Sequence, residues 1–233
     1  MPRKRLDFQI ETIKGDILKM NEVVESQVRD AMIALSHLDR ELAAKVIERD
    51  DETNALYGEI KERCVQTIAL QQPVAKDLRF ISIAMDVASN LERVGDYGVD
   101  IAKNVDYILK ESPHLSEEFN RDVLRLIDGD GTKKNLMIEM GEVAAEMVKR
   151  AGPAFIYEDG TKIEEITKLE DQVDELFRKI FHRLEDISRK DTEGVSFALN
   201  LILTARYLER IADHSINITK RTYYAVKGKE EFI

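Results

Sequence analysis

Leu91-Glu92-Arg93-Val94-Gly95-Asp96 returns as Leu208-Glu209-Arg210-Ile211-Ala212-Asp213, 117 positions later. The match extends outward. At the same offset Phe80 pairs with Phe197 and Ile101 with Ile218. Upstream, after a three-residue slip, an offset of 120 pairs Met20 with Met140, Val28 with Val148, Ala31 with Ala151, Leu56 with Leu176 and Ile60 with Ile180. Matches in one order with a single gap mark an internal duplication, because generic helical patterning would match at many offsets.

Within each copy the apolar residues recur at helical spacing. Ile10, Ile13, Ile17, Met20 and Val24 form one stripe at intervals of three and four. A break near His37–Arg40 precedes a second helix running to about Gln71, and Pro73 separates it from a long third helix over about 74–110. The second copy reads as helices at about 133–155, 161–189 and 194–227. Short connections between long amphipathic helices favour antiparallel neighbours. The fold class is therefore all-α: two tandem, pseudo-symmetric three-helix bundles, at 1–111 and 133–233, joined by a linker at 112–132. In the linker, Ser116 is placed to cap a short helix over Glu117–Ile127, and Asp128-Gly-Asp-Gly131 reads as a plain turn, since the rest of a calcium loop is missing.

Composition agrees with helices. Gly (11) and Pro (4) are scarce, Trp is absent, and charged residues reach 34% beside 43% hydrophobic ones. A net charge of −10 speaks against nucleic acid and suits cations or a basic partner surface. The single cysteine, Cys64, precludes an internal disulfide and falls at an apolar helical position, as a reduced core residue would. Neither an export signal nor an apolar run long enough for a membrane span is present, so a cytoplasmic location without membrane insertion is expected.

The third-helix stripes are Ile81, Met85, Ala88, Glu92, Gly95, Val99, Ala102 and Ala198, Ile202, Ala205, Glu209, Ala212, Ile216, Thr219. Each is interrupted once, by the same glutamate. In the middle helices the series Ile166, Glu170, Val173, Phe177, Ile180, Leu184, Ile187 matches Val46, Asp50, Thr53, Tyr57, Ile60, Cys64, Thr67, again with one acid at matching places. An ionised carboxylate in a core costs several kcal/mol, on the order seen for buried ions, unless it is paired, protonated or bound to a cation. These acids have acidic company a turn on: Asp96 and Asp100 after Glu92, Asp213 after Glu209, Asp174 after Glu170. A multivalent cation would turn that repulsion into ligation, and oxygen ligands suit magnesium, calcium, manganese or iron better than zinc. Two blander readings stand beside it: acids solvated on an outer face, or acids paired with Arg93, Arg206 or Arg210 for structure alone.

Catalytic machinery is not evident. The one Glu-x-x-His, Glu111–His114, contains Pro113 and falls in the linker. His37 and His182 are isolated, and His214, adjacent to Asp213, points about 100° away from it on a helix. No phosphate-binding glycine loop or nucleophile elbow is present.

The doubled Leu-Glu-Arg-x-x-Asp motif on the third helices resembles the PhoU family of phosphate-uptake regulators, over nearly the whole chain. The family's Glu/Asp-x-x-x-Asp signature matches at Glu92/Asp96, Glu209/Asp213 and Glu170/Asp174, with Asp50 as half of a fourth in which Asn54 replaces the second acid. Asn217, where Asp100 would repeat, is a second departure. The resemblance implies a cytoplasmic, non-catalytic negative regulator, homodimeric, carrying multivalent metal. Iron is the first expectation, with manganese, magnesium, calcium or zinc as alternatives. The implied partners are the ATPase subunit of the phosphate-specific ABC transporter and a phosphate-sensing histidine kinase. The competing hypotheses are a metal-storing carboxylate bundle with redox activity of its own, and a helical scaffold whose acids are structural.

Overall fold

The structure, a computed structural model, describes residues 2–111, 135–159, 161–190 and 195–227. Helix α1 spans Pro2–His37, α2 Arg40–Glu48, α3 Asp50–Gln71, α4 Ala75–Glu111, α5 Leu136–Ile156, α6 Lys162–Lys190 and α7 Val195–Lys227. The expected linker helix and the Asp128–Gly131 turn lie outside the described residues.

Turn chemistry explains the breaks. Leu38 takes a left-handed φ of 50°, and the Asp39 carboxylate then accepts the Glu41 and Leu42 N–H groups at 3.0 Å, capping α2. Gln72 at φ 47° closes α3 before Pro73. Asn135 caps α5 through the N–H groups of Met137 and Ile138.

One expectation needs correction. The middle helix of the first copy is two helices, interrupted at Arg49, whereas its counterpart α6 runs unbroken over Lys162–Lys190. The cause lies on α1. Gln27, fully buried, donates from Nε2 to the Val46 carbonyl at 3.3 Å and accepts the Thr53 hydroxyl at 3.1 Å. In an unbroken helix that carbonyl belongs to the residue four positions on. At the equivalent places the second copy has Met147 and Val173, which offer the backbone nothing.

The copies pack about a pseudo-two-fold axis. Asn21 of α1 meets Gly152 of α5, and Met32 meets Gly141. Positions 21 and 141, like 32 and 152, are repeat equivalents, so each contact is the image of the other. Between α4 and α7, His214 bonds Asn90 at 2.9 Å while Tyr97 stacks on Tyr207 at 5.9 Å. Tyr107 bonds Ser196 at 2.6 Å while Arg79 covers the Tyr224 ring at 5.8 Å. Helices α1, α4, α5 and α7 thus form the centre, antiparallel across the axis, with α2–α3 and α6 on opposite flanks.

The core is continuous through both copies, from Leu6 and Ile13 to Ile216 and Ile218. Cys64 is buried in it, and desolvation pushes its thiol up to about 12, so it stays protonated.

Candidate carboxylate sites

The acids that interrupt the apolar stripes do not enter the core. Their stripe neighbours Ala88, Ala205 and Ala212 are buried, but Glu92 and Glu209 lie at the rim, each with 19% of its side chain exposed. A helix stripe more than about 100° wide brings its edge residues to the boundary between core and solvent. There a carboxylate is partly desolvated without being lost to water.

In the first copy, Asp50 opens α3 just after the break, and Glu92 and Asp96 face it from α4. Burial raises the Asp50 carboxyl above its ordinary range, and the Asp96 charge adds to the shift. Burial likewise raises Glu92, with Asp96 and, more weakly, Asp50 contributing. The three acids therefore share one field. Asp50 Oδ2 accepts the Asn54 side-chain amide at 2.9 Å, whereas Oδ1 is buried without a hydrogen-bond partner. Arg93 contacts both Asp96, at 3.0 Å, and Glu92, at 3.5 Å. Asp100 is not drawn into this cluster. It pairs with Lys103 at 3.2 Å and its charge acts on Tyr207 of α7.

In the second copy, Glu170 is raised by burial and by the charges of Asp174 and Asp213, against the opposing effect of Lys220. Lys220 is the repeat equivalent of Lys103, which acts on Asp50 in the same sense. Glu209 is held by Arg206, and Asp213 by Arg210 at 3.2 Å. His214 turns away to Asn90, and burial lowers its pKa, so the imidazole is a neutral element of the seam.

Among the described residues no three acid, histidine or cysteine side chains converge tightly enough to form a ready cation cage. The donor chemistry nevertheless fits a hard cation in the first copy, where an unpaired buried carboxylate oxygen lies within the field of two further carboxylates. The fit is poorer in the second, where Arg206 already occupies Glu209.

Sequence reasoning missed Gln27 and Thr53, which set the position of Asp50, and Lys103 and Lys220, which temper each site. Gln27 carried a usable signal, as a polar residue at seam spacing from Val24 and Ala31. The two lysines carried a signal only through their repeat equivalence.

Comparison with known proteins agrees with the duplication. The PhoU domain model matches twice, at residues 17–105 and 137–222. A phosphate-specific transport system accessory protein PhoU homolog of Clostridium acetobutylicum is 32% identical over 231 residues, covering 99% of this chain and 98% of the relative. A homolog of the same description from Borreliella burgdorferi has the same identity and coverage. Among solved structures, PhoU from Pseudomonas aeruginosa superposes with a TM-score of 0.82 at 29% identity, covering 96% of this chain and 99% of that one. The phosphate transport system regulatory protein PhoU from Streptococcus pneumoniae gives 0.81 at 24% identity, covering 98% and 100%, and supports the fold alone. The family consists of accessory and regulatory proteins, not enzymes. With both repeats matched and relatives aligned end to end, the chain belongs to the PhoU family.

Proposed function

We propose that the chain is a cytoplasmic regulator of phosphate uptake, restraining the phosphate-specific ABC transporter through its ATPase subunit and passing phosphate status to a histidine kinase. What supports the reading is full-length similarity to relatives named as accessory proteins of that transport system. The described helices agree with a peripheral role, since none is long and apolar enough to cross a membrane.

The carboxylates belong to this reading as a metal site. Asp50, Glu92 and Asp96 would hold a cation in the first copy, and Glu170, Asp174 and Asp213 in the second, with Glu209 joining once Arg206 lets go. A bound cation supplies the positive charge that the clustered carboxylates lack. The chain's own residues do the rest. Asp50 presents its unpaired oxygen, Asn54 orients that carboxylate, and the Gln27–Thr53 bond fixes the start of α3 beneath it.

Deletion of the gene should raise phosphate uptake under phosphate-replete conditions, and the purified protein should retain the transporter's ATPase subunit. Unchanged uptake together with no such retention would sink the proposal. The metal is tested separately, by elemental analysis of untagged protein beside a Glu92→Gln/Glu209→Gln variant. A stoichiometric cation lost in the variant is expected; equal, substoichiometric contents would leave the acids structural.

A further inference from the structure

The distribution of charge and apolar surface at one end of the bundle points to a second binding surface. We infer that the end formed by the start of α1, the α3–α4 and α5–α6 turns and the last turns of α7 binds the surface of an anionic lipid bilayer. The inference is independent of the carboxylate sites, which lie higher on the bundle.

Side-chain contacts bring these segments together. Arg3 bonds Asp77 at 2.7 Å, Lys76 bonds Glu158 at 3.0 Å, and Arg79 covers the Tyr224 ring. Two features set this end apart. Phe8, Leu70 and Val74 are the most exposed large aliphatic or phenyl side chains among the described residues, at 67%, 71% and 72%. Phe8 lies two turns before Asp16 and Leu70 two turns beyond Arg63, on antiparallel helices joined by the Arg63–Asp16 pair at 2.8 Å, so the two project from the same end. The second feature is charge. The chain as a whole carries −10, yet most acids here have a donor beside them: Asp7 and Asp77 share Arg3, Glu158 has Lys76, and Asp159 accepts the Thr161 hydroxyl and N–H. Lys4 and Arg5 have no carboxylate within ion-pair distance among the described residues.

Single apolar side chains projecting from helix ends and turns, beside the unmatched Lys4 and Arg5, suit an interface of acyl chains below and anionic headgroups around. A protein partner's helix would instead need a groove with a continuous apolar floor. The docking is peripheral, since no described helix is fit to span.

Sedimentation of the full chain with vesicles tests this, comparing phosphatidylcholine alone with phosphatidylcholine carrying a third phosphatidylglycerol. Binding only to the anionic vesicles is expected, abolished by high salt. Lys4→Glu and Arg5→Glu should each weaken it about five-fold or more, and Leu70→Ser/Val74→Ser should weaken it with the salt dependence kept. These positions are exposed, and an unchanged helical circular-dichroism spectrum certifies the fold of each variant. Equal binding to neutral vesicles, no binding to either, indifference to the charge variants, or retention on immobilised polyglutamate without vesicle binding would each overturn the inference.

Discussion

The two middle helices of the duplicated bundle have the same ancestry and different shapes. In the first copy Gln27 takes the Val46 carbonyl and the Thr53 hydroxyl, the helix is interrupted at Arg49, and Asp50 starts a new helix with one carboxylate oxygen buried and unpaired. In the second, Met147 and Val173 stand at those places and Glu170 lies inside an unbroken α6. The third helices differ in the same direction. Glu92 has Ser89 one turn before it, and Glu209 has Arg206, which holds it. The duplication preserved the frame, while a few polar substitutions left a carboxylate oxygen unpaired in the first cluster, where Glu92 and Asp96 share Arg93, and gave the second an additional arginine, Arg206.

The largest effect is expected from removing the device that makes the first copy different. Gln27→Met strips a buried amide and leaves the Val46 carbonyl and Thr53 hydroxyl without partners, at about 1–3 kcal/mol for each. Denaturant unfolding should show a loss of about 2–4 kcal/mol. Adding Thr53→Val, which completes the second copy's pair, should restore about 1 kcal/mol or more of it. Strictly additive losses would mean that Gln27 and Thr53 are not coupled as the hydrogen bond implies.

A cation that ligates the first cluster stabilises the folded chain by mass action, by about 2.7 kcal/mol when present at a hundred times its dissociation constant. Melting followed with added manganese or ferrous iron should shift upward in the wild type and not in Asp50→Asn. Glu170→Gln should keep most of the shift, because the arginine-held site contributes less. If Asp50→Asn and Glu170→Gln lose the shift equally, the asymmetry between the copies has no bearing on metal.

Without metal, the same acids set a pH dependence of known sign. Asp50 and Glu92 have folded-state pKa values raised above 3.8 and 4.5, their ordinary values. The folded protein therefore holds their protons more tightly than the unfolded chain does. Stability from these groups is full below the ordinary values and is lost as pH rises through the raised ones. Metal-free protein unfolded across mildly acidic pH should lose this component on going toward neutrality, superimposed on whatever the other acids contribute. Asp50→Asn/Glu92→Gln should be flatter in that window. A double variant with an unchanged slope would show that the first cluster is not strained by its own charge.

Much of this was legible in the residues. Equal spacing in two copies exposed the duplication, and the stripes named the buried faces of α3, α4, α6 and α7, including Cys64 and both interrupted seams. The break at Arg49 was not visible, because a helix stripe registers which face is buried and is blind to a backbone carbonyl diverted by a side chain on another helix. The depth of the acids was misread for a related reason. Periodicity places Glu92 and Glu209 on the seam, but whether a seam position is closed over or lies at the rim depends on the neighbouring helix. The arginine pairing that stood as the structural alternative is present in both copies, through Arg206 for Glu209 and through Arg93 at 3.5 Å for Glu92, but only the second copy has an arginine one turn before its glutamate. That difference follows from a single position, Ser89 against Arg206.

The smallest energetic effect is expected at that position, and it discriminates most finely. Arg206→Ser gives the second copy the residue of the first. The lost pair is partly exposed, so the cost should be about 0.5 kcal/mol or less. A negligible change in unfolding should nevertheless accompany a change in chemistry, because Glu209 is then free to act with Glu170, Asp174 and Asp213. Equilibrium dialysis with manganese should show tighter or additional binding in Arg206→Ser than in wild type, and the reciprocal Ser89→Arg should weaken the first site. An arginine at 89 can reach Glu92 through the same one-turn spacing that joins 206 to 209. If both substitutions leave cation binding unchanged, arginine occupancy does not control the carboxylates, and the inequality of the two sites must come from the helix break alone.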